Sequence, residues 1–212
     1  ADRNFKVSAD LYYKKLDDLI PYTVDNVKIR YYGENCAKGH AMGIDVKFFG
    51  EFVPGTDSWI SFSLMKAEQT IRDMVTVPMP NSQGYNVSLF FQDYFPGYKR
   101  VKLNLKGVLS GGLPFIAPRT KYEDVKSTFR TPAYKRVDLG FSYQLAGGTD
   151  AIMDRGFFRN LKNIWLGLDI FNLFDIKNTS SYYWITNIDN HQYAIPNYLT
   201  GRQLNVRLIV DF

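Results

Sequence analysis

The sequence lacks several features that would place it in common protein classes. It has one cysteine, Cys36, among 212 residues, which excludes an internal disulfide framework. Its apolar runs are only a few residues long, far short of the roughly 18 that a membrane-spanning helix needs. Lys and Arg never form a block longer than two residues, although the formal net charge is +5. Nucleic acid is therefore not expected as a partner.

Aromatic residues, by contrast, are abundant. Phe, Tyr and Trp make up 16% of the chain, whereas the hydrophobic fraction is 45% and the mean hydropathy is −0.25. A disordered chain is excluded, because disordered segments are poor in aromatic residues and cannot form a core. Many aromatic residues at average hydropathy suit strands in which apolar and polar residues alternate.

Such alternation is found along the whole chain. In the last nine residues every even position is apolar and most odd positions are polar, so the two sets lie on opposite faces of an extended strand. The only helix-like stretch is short, residues 66–74. The sequence therefore predicts an all-β, antiparallel chain of about ten strands. Eight clear windows and two weaker ones carry the pattern: 5–13, 44–48, 60–64, 85–91, 101–105, 137–145, 164–170 and 204–212, then 27–32 and 181–187.

Alternation alone also fits a soluble β-sandwich or a lipocalin-like barrel. Two observations favour a transmembrane barrel. Aromatic residues gather near the predicted strand ends, as in the girdles at the two membrane boundaries. Charged residues occupy the middle of the polar face, which suits a water-filled interior: Asp45, Lys47, Lys102, Lys106, Arg136, Asp138, Asp169, Arg207 and Asp211.

The C-terminal strand strengthens this interpretation. It alternates apolar residues and places an aromatic residue last, which looks like the assembly signal of Gram-negative outer-membrane barrels. The predicted signal consists of Leu204, Val206, Leu208, Val210 and Phe212.

An ordered series of short motifs resembles one family. Together the motifs are similar to the C-terminal barrel strands of TonB-dependent outer-membrane transporters, in the form common in Bacteroidota. They are 91–97 (FQDYFPG), 110–115 (SGGLPF), 130–140 (RTPAYKRVDLG), 170–175 (IFNLFD) and 201–202 (GR), with 43–45 (GID) and 51–55 (EFVPG) upstream.

The resemblance implies a fold and a set of partners. Members of the family close a barrel of 22 strands around a plug domain, preceded by a segment that binds TonB. Residues 1–212 are then expected to be the C-terminal strands alone, without the plug, the N-terminal strands or the TonB-binding segment. The expected partners are outer-membrane lipid, the plug and the remaining strands, TonB through the N-terminal part, and further envelope proteins.

Family topology also orients the connections. If Phe212 ends in the periplasm, strand parity places the connections 93–99, 146–160 and 189–202 outside the cell. It places 73–84, part of 106–134, and 173–180 on the periplasmic side.

No constellation for covalent chemistry is found. The two histidines, His40 and His191, lie in predicted loops without ligand spacing, so neither a catalytic site, a metal site nor a cofactor is expected. The outer connections contain Tyr193, Asn197 and Tyr198, but the substrate-binding residues are not identified.

The predicted function is the barrel part of an energised outer-membrane nutrient transporter that is not an enzyme. Two alternatives remain open. The first is a transporter-like barrel that is a structural subunit of an envelope assembly. The second is a small closed ten-stranded porin or protease, for which His191 and Asp189 are the candidate rim residues.

Overall fold

The computed structural model describes residues 5–25, 28–53, 56–116, 128–147, 150 and 160–212. None of these residues belongs to a helix that is long and apolar enough to cross a membrane. The described residues form fifteen strands: β1 Phe5–Leu19, β2 Tyr22–Asp25, β3 Lys28–Tyr31, β4 Ala37–Val53, β5 Thr56–Ile71, β6 Val75–Pro78, β7 Tyr85–Phe95, β8 Tyr98–Ser110, β9 Pro114–Ile116, β10 Thr128–Arg130, β11 Tyr134–Gly147, β12 Asn163–Phe171, β13 Thr179–Thr186, β14 Gln192–Tyr198 and β15 Gln203–Asp211.

Eight long strands form one antiparallel sheet in the order β1-β4-β5-β7-β8-β11-β12-β15, and β6 adds a ninth by pairing with β5. The eight clear alternation windows coincide with these eight strands, so the all-β antiparallel prediction is confirmed. Within the described part of the chain, β1 and β15 each pair with one neighbour, and the sheet is open. These strands therefore do not form a small closed barrel.

The register gives the sheet two different faces. The neighbours Leu103, Phe141, Leu168 and Val206 form one row across β8, β11, β12 and β15. All the residues in this row are apolar. The adjacent residues on the opposite face form a polar row across β7 and the same four strands: Gln92, Asn104, Gly140, Asp169 and Asn205.

The two weaker predicted strands exist but lie outside the sheet. The window 27–32 contains β3, which pairs with β2. The window 181–187 overlaps β13, which pairs with β14. Each of these pairs is a local hairpin, because the chain turns back and satisfies its backbone hydrogen bonds with the next segment. The prediction of about ten strands in one barrel wall therefore included two strands that belong to separate hairpins and not to the large sheet.

The helix-like stretch 66–74 does not form a helix. Residues up to Ile71 extend β5, which pairs with β4 on one side and β6 on the other, and a turn follows. Burial alternates along this segment, since Ala67, Gln69 and Ile71 are at most 5% exposed. Ile71 packs with Ala37 and Val77 in a small core, against which Cys36 also packs.

The connections group at two ends of the sheet. At the end where β15 finishes, called the C-terminal end below, lie the connections 54–55, 96–97 and 148–162. At the opposite end lie the connections 20–36, 72–84, 111–133 and 172–202, three of which are the longest in the sheet.

This grouping corrects most of the expected sides. Only 189–202 keeps its place opposite the C-terminal end, and it shares that end with 173–180, 73–84 and the connection within 106–134. The connections predicted at 93–99 and 146–160 lie instead at the C-terminal end. The error has one cause. The segment 181–187 was counted as a strand of the large sheet, and one extra strand reverses the predicted side of every connection before it.

Candidate functional site

Asp138 connects its own strand, β11, to the turn that follows β12. Its Oδ1 accepts a hydrogen bond from Arg136 Nε at 2.7 Å and a second from the backbone N–H of Asn172 at 2.8 Å. The neighbouring Leu173 N–H donates to the carbonyl of Val137 at 2.7 Å. The turn that follows β12 is thereby bound to β11.

Asn172 holds the turn itself. Its side-chain amide accepts the N–H of Ile176 and donates to the carbonyl of the same residue, both at 3.0 Å. It is 3% exposed and has a backbone φ of 52°. Asparagine tolerates this left-handed conformation better than most residues, which explains its use at this position.

Two further side chains bind the flanks of the connection. Asp175 Oδ1 accepts the N–H of Arg202 at 2.8 Å, immediately before β15. Asn178 donates to the carbonyl of Lys135 at 2.8 Å and accepts its N–H at 2.9 Å, as a strand partner would. The family-like motifs at 130–140, 170–175 and 201–202 therefore meet at one place, called the turn anchor below.

The hairpin β13–β14 extends from this anchor and contacts a second hairpin. The ring of Tyr182 stacks on Phe115 of β9 with centroids 4.9 Å apart, and Phe115 also contacts Phe129 of β10 at 5.8 Å. The residues Tyr193 and Tyr198, predicted in an outer connection, lie in β14 and are exposed. Asn197 lies between them and contacts Ser181. Sequence reasoning missed the stack, because nothing local signals that residues 115 and 182 meet.

All the charged residues predicted on the polar parity lie on one face of the sheet, as the strand pairs show. Some form ion pairs there. Arg207 Nε lies 3.4 Å from Asp169 Oδ2, but its N–H makes no hydrogen bond although the atom is buried. Others rest on aromatic rings: Lys102 Nζ lies 5.1 Å from the ring centre of Tyr94 and 4.5 Å from that of Trp165.

The histidines do not form a reactive cluster. His40, predicted in a loop, lies in β4, and its Nε2 is 3.7 Å from Glu68 Oε2. His191 lies in the turn between β13 and β14, where the side chain of Asn187 accepts the backbone N–H groups of Asp189 and His191. The Asn187 side chain therefore holds the backbones of both candidate rim residues, Asp189 and His191. Among the described residues, no carboxylate lies within 4 Å of the His191 ring.

The polar face carries a line of recesses. They lie between β7 and β8 on one side and β15 on the other, and the largest has a volume of about 890 Å³. An open sheet with one apolar face, one charged face and its three longest connections at one end is a section of a transmembrane barrel wall.

The chain belongs to the family of TonB dependent receptor-like β-barrels, whose family model matches residues 1–173. No curated protein matches the sequence.

Three solved structures share the fold. The ferric yersiniabactin uptake receptor FyuA from Yersinia pestis is 17% identical with a TM-score of 0.63, over 99% of this chain and 28% of that one. The outer membrane transporter YddB from Escherichia coli is 13% identical with a TM-score of 0.61, over 98% and 30%. The siderophore receptor PiuA from Acinetobacter baumannii is 17% identical with a TM-score of 0.58, over 97% and 26%.

The chain thus spans less than a third of each of these proteins. The form common in Bacteroidota, which the motifs resembled, is not supported by these matches.

Proposed function

We propose that residues 1–212 form the C-terminal part of the barrel wall of a TonB-dependent transporter in the outer membrane of a Gram-negative bacterium. The observation that carries this proposal is the family match over residues 1–173. The two-faced sheet supports it, because apolar residues suit lipid and charged residues suit a wet interior.

In this proposal the wall acts with parts of the receptor that lie outside these residues. A plug domain and the remaining strands complete the barrel, and TonB supplies energy through the N-terminal part. The chain performs no covalent chemistry. One structural neighbour is a ferric yersiniabactin uptake receptor and another a siderophore receptor by name, but an identity of 17% shows only that the fold is shared and does not identify the ligand. The transported ligand is therefore left unnamed.

Growth of the native bacterium tests the proposal. Deleting the full-length receptor is expected to abolish growth on one limiting iron, carbon or vitamin source. Disrupting TonB should abolish growth on the same source, and the wild-type receptor should restore it. Normal growth on every limiting source, with stoichiometric co-purification of envelope proteins, would contradict transport and favour a structural subunit of an envelope assembly.

We further propose that Leu204, Val206, Leu208, Val210 and Phe212 form the barrel-assembly signal. Leu204, Val206, Leu208 and Phe212 are all more than 60% exposed. In the full-length receptor, Phe212→Ala should lower the amount that reaches the outer membrane. The matched change Asp211→Ala, one residue earlier and on the polar parity, should leave that amount unchanged. Equal amounts for the two variants would contradict the signal.

A further inference from the structure

The hairpin β13–β14 has two faces with different surroundings. Tyr182 and its strand partner Pro196 lie on one face. The ring of Tyr182 stacks on Phe115 of β9, so the hairpin β9–β10 packs against this face. Because side chains alternate along a strand, the residues on either side of Tyr182 point to the other face.

That other face is apolar and exposed. It carries two cross-strand pairs, Tyr183 with Ile195 and Ile185 with Tyr193, and is called the tyrosine–isoleucine face below. Each of these four side chains is between 45% and 57% exposed. Neither β13 nor β14 contains Asp, Glu, Lys or Arg. A two-stranded hairpin alone is marginally stable in water, and an exposed apolar patch of this kind marks a contact surface.

Lipid is not the partner of this face. The hairpin extends beyond the apolar side of the sheet, which ends here with the pair Ile170 and Leu204. Charged residues lie at both ends of the hairpin: Lys177 and Arg202 are exposed at its base, and Asp189 is exposed at its tip. Charges are costly in lipid, so the hairpin stands in water and its apolar face suits a protein partner.

The connections at this end of the sheet pack on one another around the wall. β2, which lies in the connection between β1 and β4, contacts β9. The hairpin β9–β10, which lies between β8 and β11, contacts β13–β14 through Phe115 and Tyr182. The hairpin β13–β14 lies between β12 and β15 and is the last of this series. Its tyrosine–isoleucine face is therefore available to the next connection around the wall.

The position of that next connection follows from strand pairing. In the described sheet β15 pairs only with β12 and has one free edge. In a barrel wall this edge pairs with a further strand, because unpaired backbone groups are not tolerated in lipid. An antiparallel partner runs toward the end where β15 begins. The connection that follows this partner strand, called the seam connection below, therefore starts beside Gln203 and close to the end of β14.

We propose that the tyrosine–isoleucine face packs against the seam connection, which belongs to the part of the receptor outside residues 1–212. The inference rests on the function proposed above. The solved structures that share the fold are more than three times as long as this chain, so the receptor has ample chain to supply the partner. The contact joins the C-terminal part of the wall to the rest of the barrel outside the membrane. Burial of apolar surface drives it, since the two strands carry no charge.

Photo-cross-linking in the full-length receptor tests this contact. The photoreactive residue p-benzoylphenylalanine, which is similar in shape to tyrosine, replaces Tyr183 in one variant and Tyr182 in the matched control. The two tyrosines are adjacent and lie on opposite faces, and Tyr182 has Phe115 as its neighbour. Intact cells are irradiated, and the cross-linked tryptic peptides are identified by mass spectrometry.

The probe at position 183 is expected to join a peptide of the seam connection, in a product with the mass of one receptor. The probe at position 182 is expected to join the peptide that contains Phe115. A product of two receptors or of the receptor with another envelope protein at position 183 would overturn the inference, and so would the absence of any product there. Absence of the product at position 182 would overturn the hairpin packing on which the inference is built.

A charge on each face of the hairpin provides a second check. Ile185→Asp places a carboxylate on the tyrosine–isoleucine face and should lower the yield of the cross-link from position 183 severalfold, because the contact would bury the charge. Thr186→Asp, one residue later, is the matched control, since Thr186 is exposed on the opposite face. Equal yields for the two variants, at equal amounts in the outer membrane, would overturn an apolar contact.

The growth experiment keeps the two proposals apart. If the probe variants restore growth but the probe at position 183 does not reach the seam connection, the receptor transports and only the contact is wrong. If that cross-link forms and the deletion strain has no nutrient phenotype, the contact is correct and the transport function is wrong.

Discussion

Asp138 Oδ1 lies 2.8 Å from the backbone nitrogen of Asn172 and accepts its N–H, although the two residues are 34 positions apart in the chain. The same carboxylate oxygen binds Arg136, so one side chain joins β11 to the turn after β12. The bond holds the base of the connection 172–202, from which the hairpin β13–β14 extends.

Removing this carboxylate should destabilise the wall. Asp138→Ala leaves a buried backbone N–H without its acceptor, and we expect it to lower the free energy of unfolding by about 1–3 kcal/mol. Asp138→Asn keeps an oxygen acceptor but loses the charge, so its loss should be smaller. Urea unfolding of the full-length receptor in detergent measures both, and equal losses would show that the hydrogen bond to Asn172 contributes nothing.

The side-chain hydrogen bonds of Asn172 and its left-handed backbone conformation should make separate contributions to stability. Asn172→Ala loses both amide hydrogen bonds and forces alanine into φ 52°. Asn172→Gly loses the same bonds without the conformational strain, so it should be more stable than the alanine variant by about 1–2 kcal/mol. The control is Phe174→Ala in the same turn, which removes a side chain that is 64% exposed and should have little effect on urea unfolding. Alanine and glycine variants of equal stability would contradict this account of the turn.

Two glycines on opposite faces should behave in opposite ways. Gly167→Ala places a Cβ 2.6 Å from Arg207 Nε, so Arg207 must move away from Asp169 and the variant should lose stability. At Gly107, on the apolar face, a Cβ would meet only Leu89, at 3.8 Å. Gly107→Ala should therefore be neutral or more stable by about 0.5–1 kcal/mol, because glycine weakens a strand. The urea midpoints of unfolding compare the two variants directly. A Gly167→Ala variant as stable as the wild type would show that Arg207 can move aside without loss of stability.

A charge placed on each face tests which face meets lipid. Leu168→Arg lies in the middle of the apolar face and should cost about 2–4 kcal/mol in lipid vesicles. Asn205→Arg lies on the polar face of the adjacent strand, where water reaches the guanidinium, and should cost much less. Folding into phospholipid vesicles with urea titration measures both. A larger loss for Asn205→Arg would reverse the assignment of the two faces.

Asp150, in the connection between β11 and β12, should give the receptor a pH-dependent contribution to stability. The backbone N–H of Gly147 and then Arg100 bind its carboxylate and lower the pKa of Asp150 below the ordinary value. The folded state therefore holds its proton less tightly than the unfolded state. The contribution is full above the unfolded pKa, near 4, and is lost as the pH falls through the lower folded pKa.

Asp150→Asn should thus be less stable than the wild type at neutral pH, and the difference should vanish in acid. Arg100→Gln should lose part of the same pH dependence, since the bond from Gly147 remains. Unfolding of the full-length receptor across pH 2 to 7, about the range in which carboxylates titrate, follows both. A difference that stays constant with pH would contradict the ionic contribution.

Much of the large sheet was predictable because its strands have one face that suits lipid and one that suits water. Alternation located all eight long strands, including the last, where Leu204 and Val206 lie on one face and Asn205 and Arg207 on the other. Alternation was not recognised where the buried side of a strand packs against a small protein core and not against the membrane. At β5 the segment 66–71 looked helical because it lies beyond the apolar section, next to a small core of its own.

The alternation of side chains along a strand is a local property, so it could be recognised in the sequence as a series of two-faced strands. Strand pairing is not local, because a hydrogen bond between strands depends on which distant segment lies beside each strand, and it became known only from the fold. That pairing placed β13 in a hairpin, reversed the sides of most connections, and brought Asp138 to Asn172 and Asp175 to Arg202.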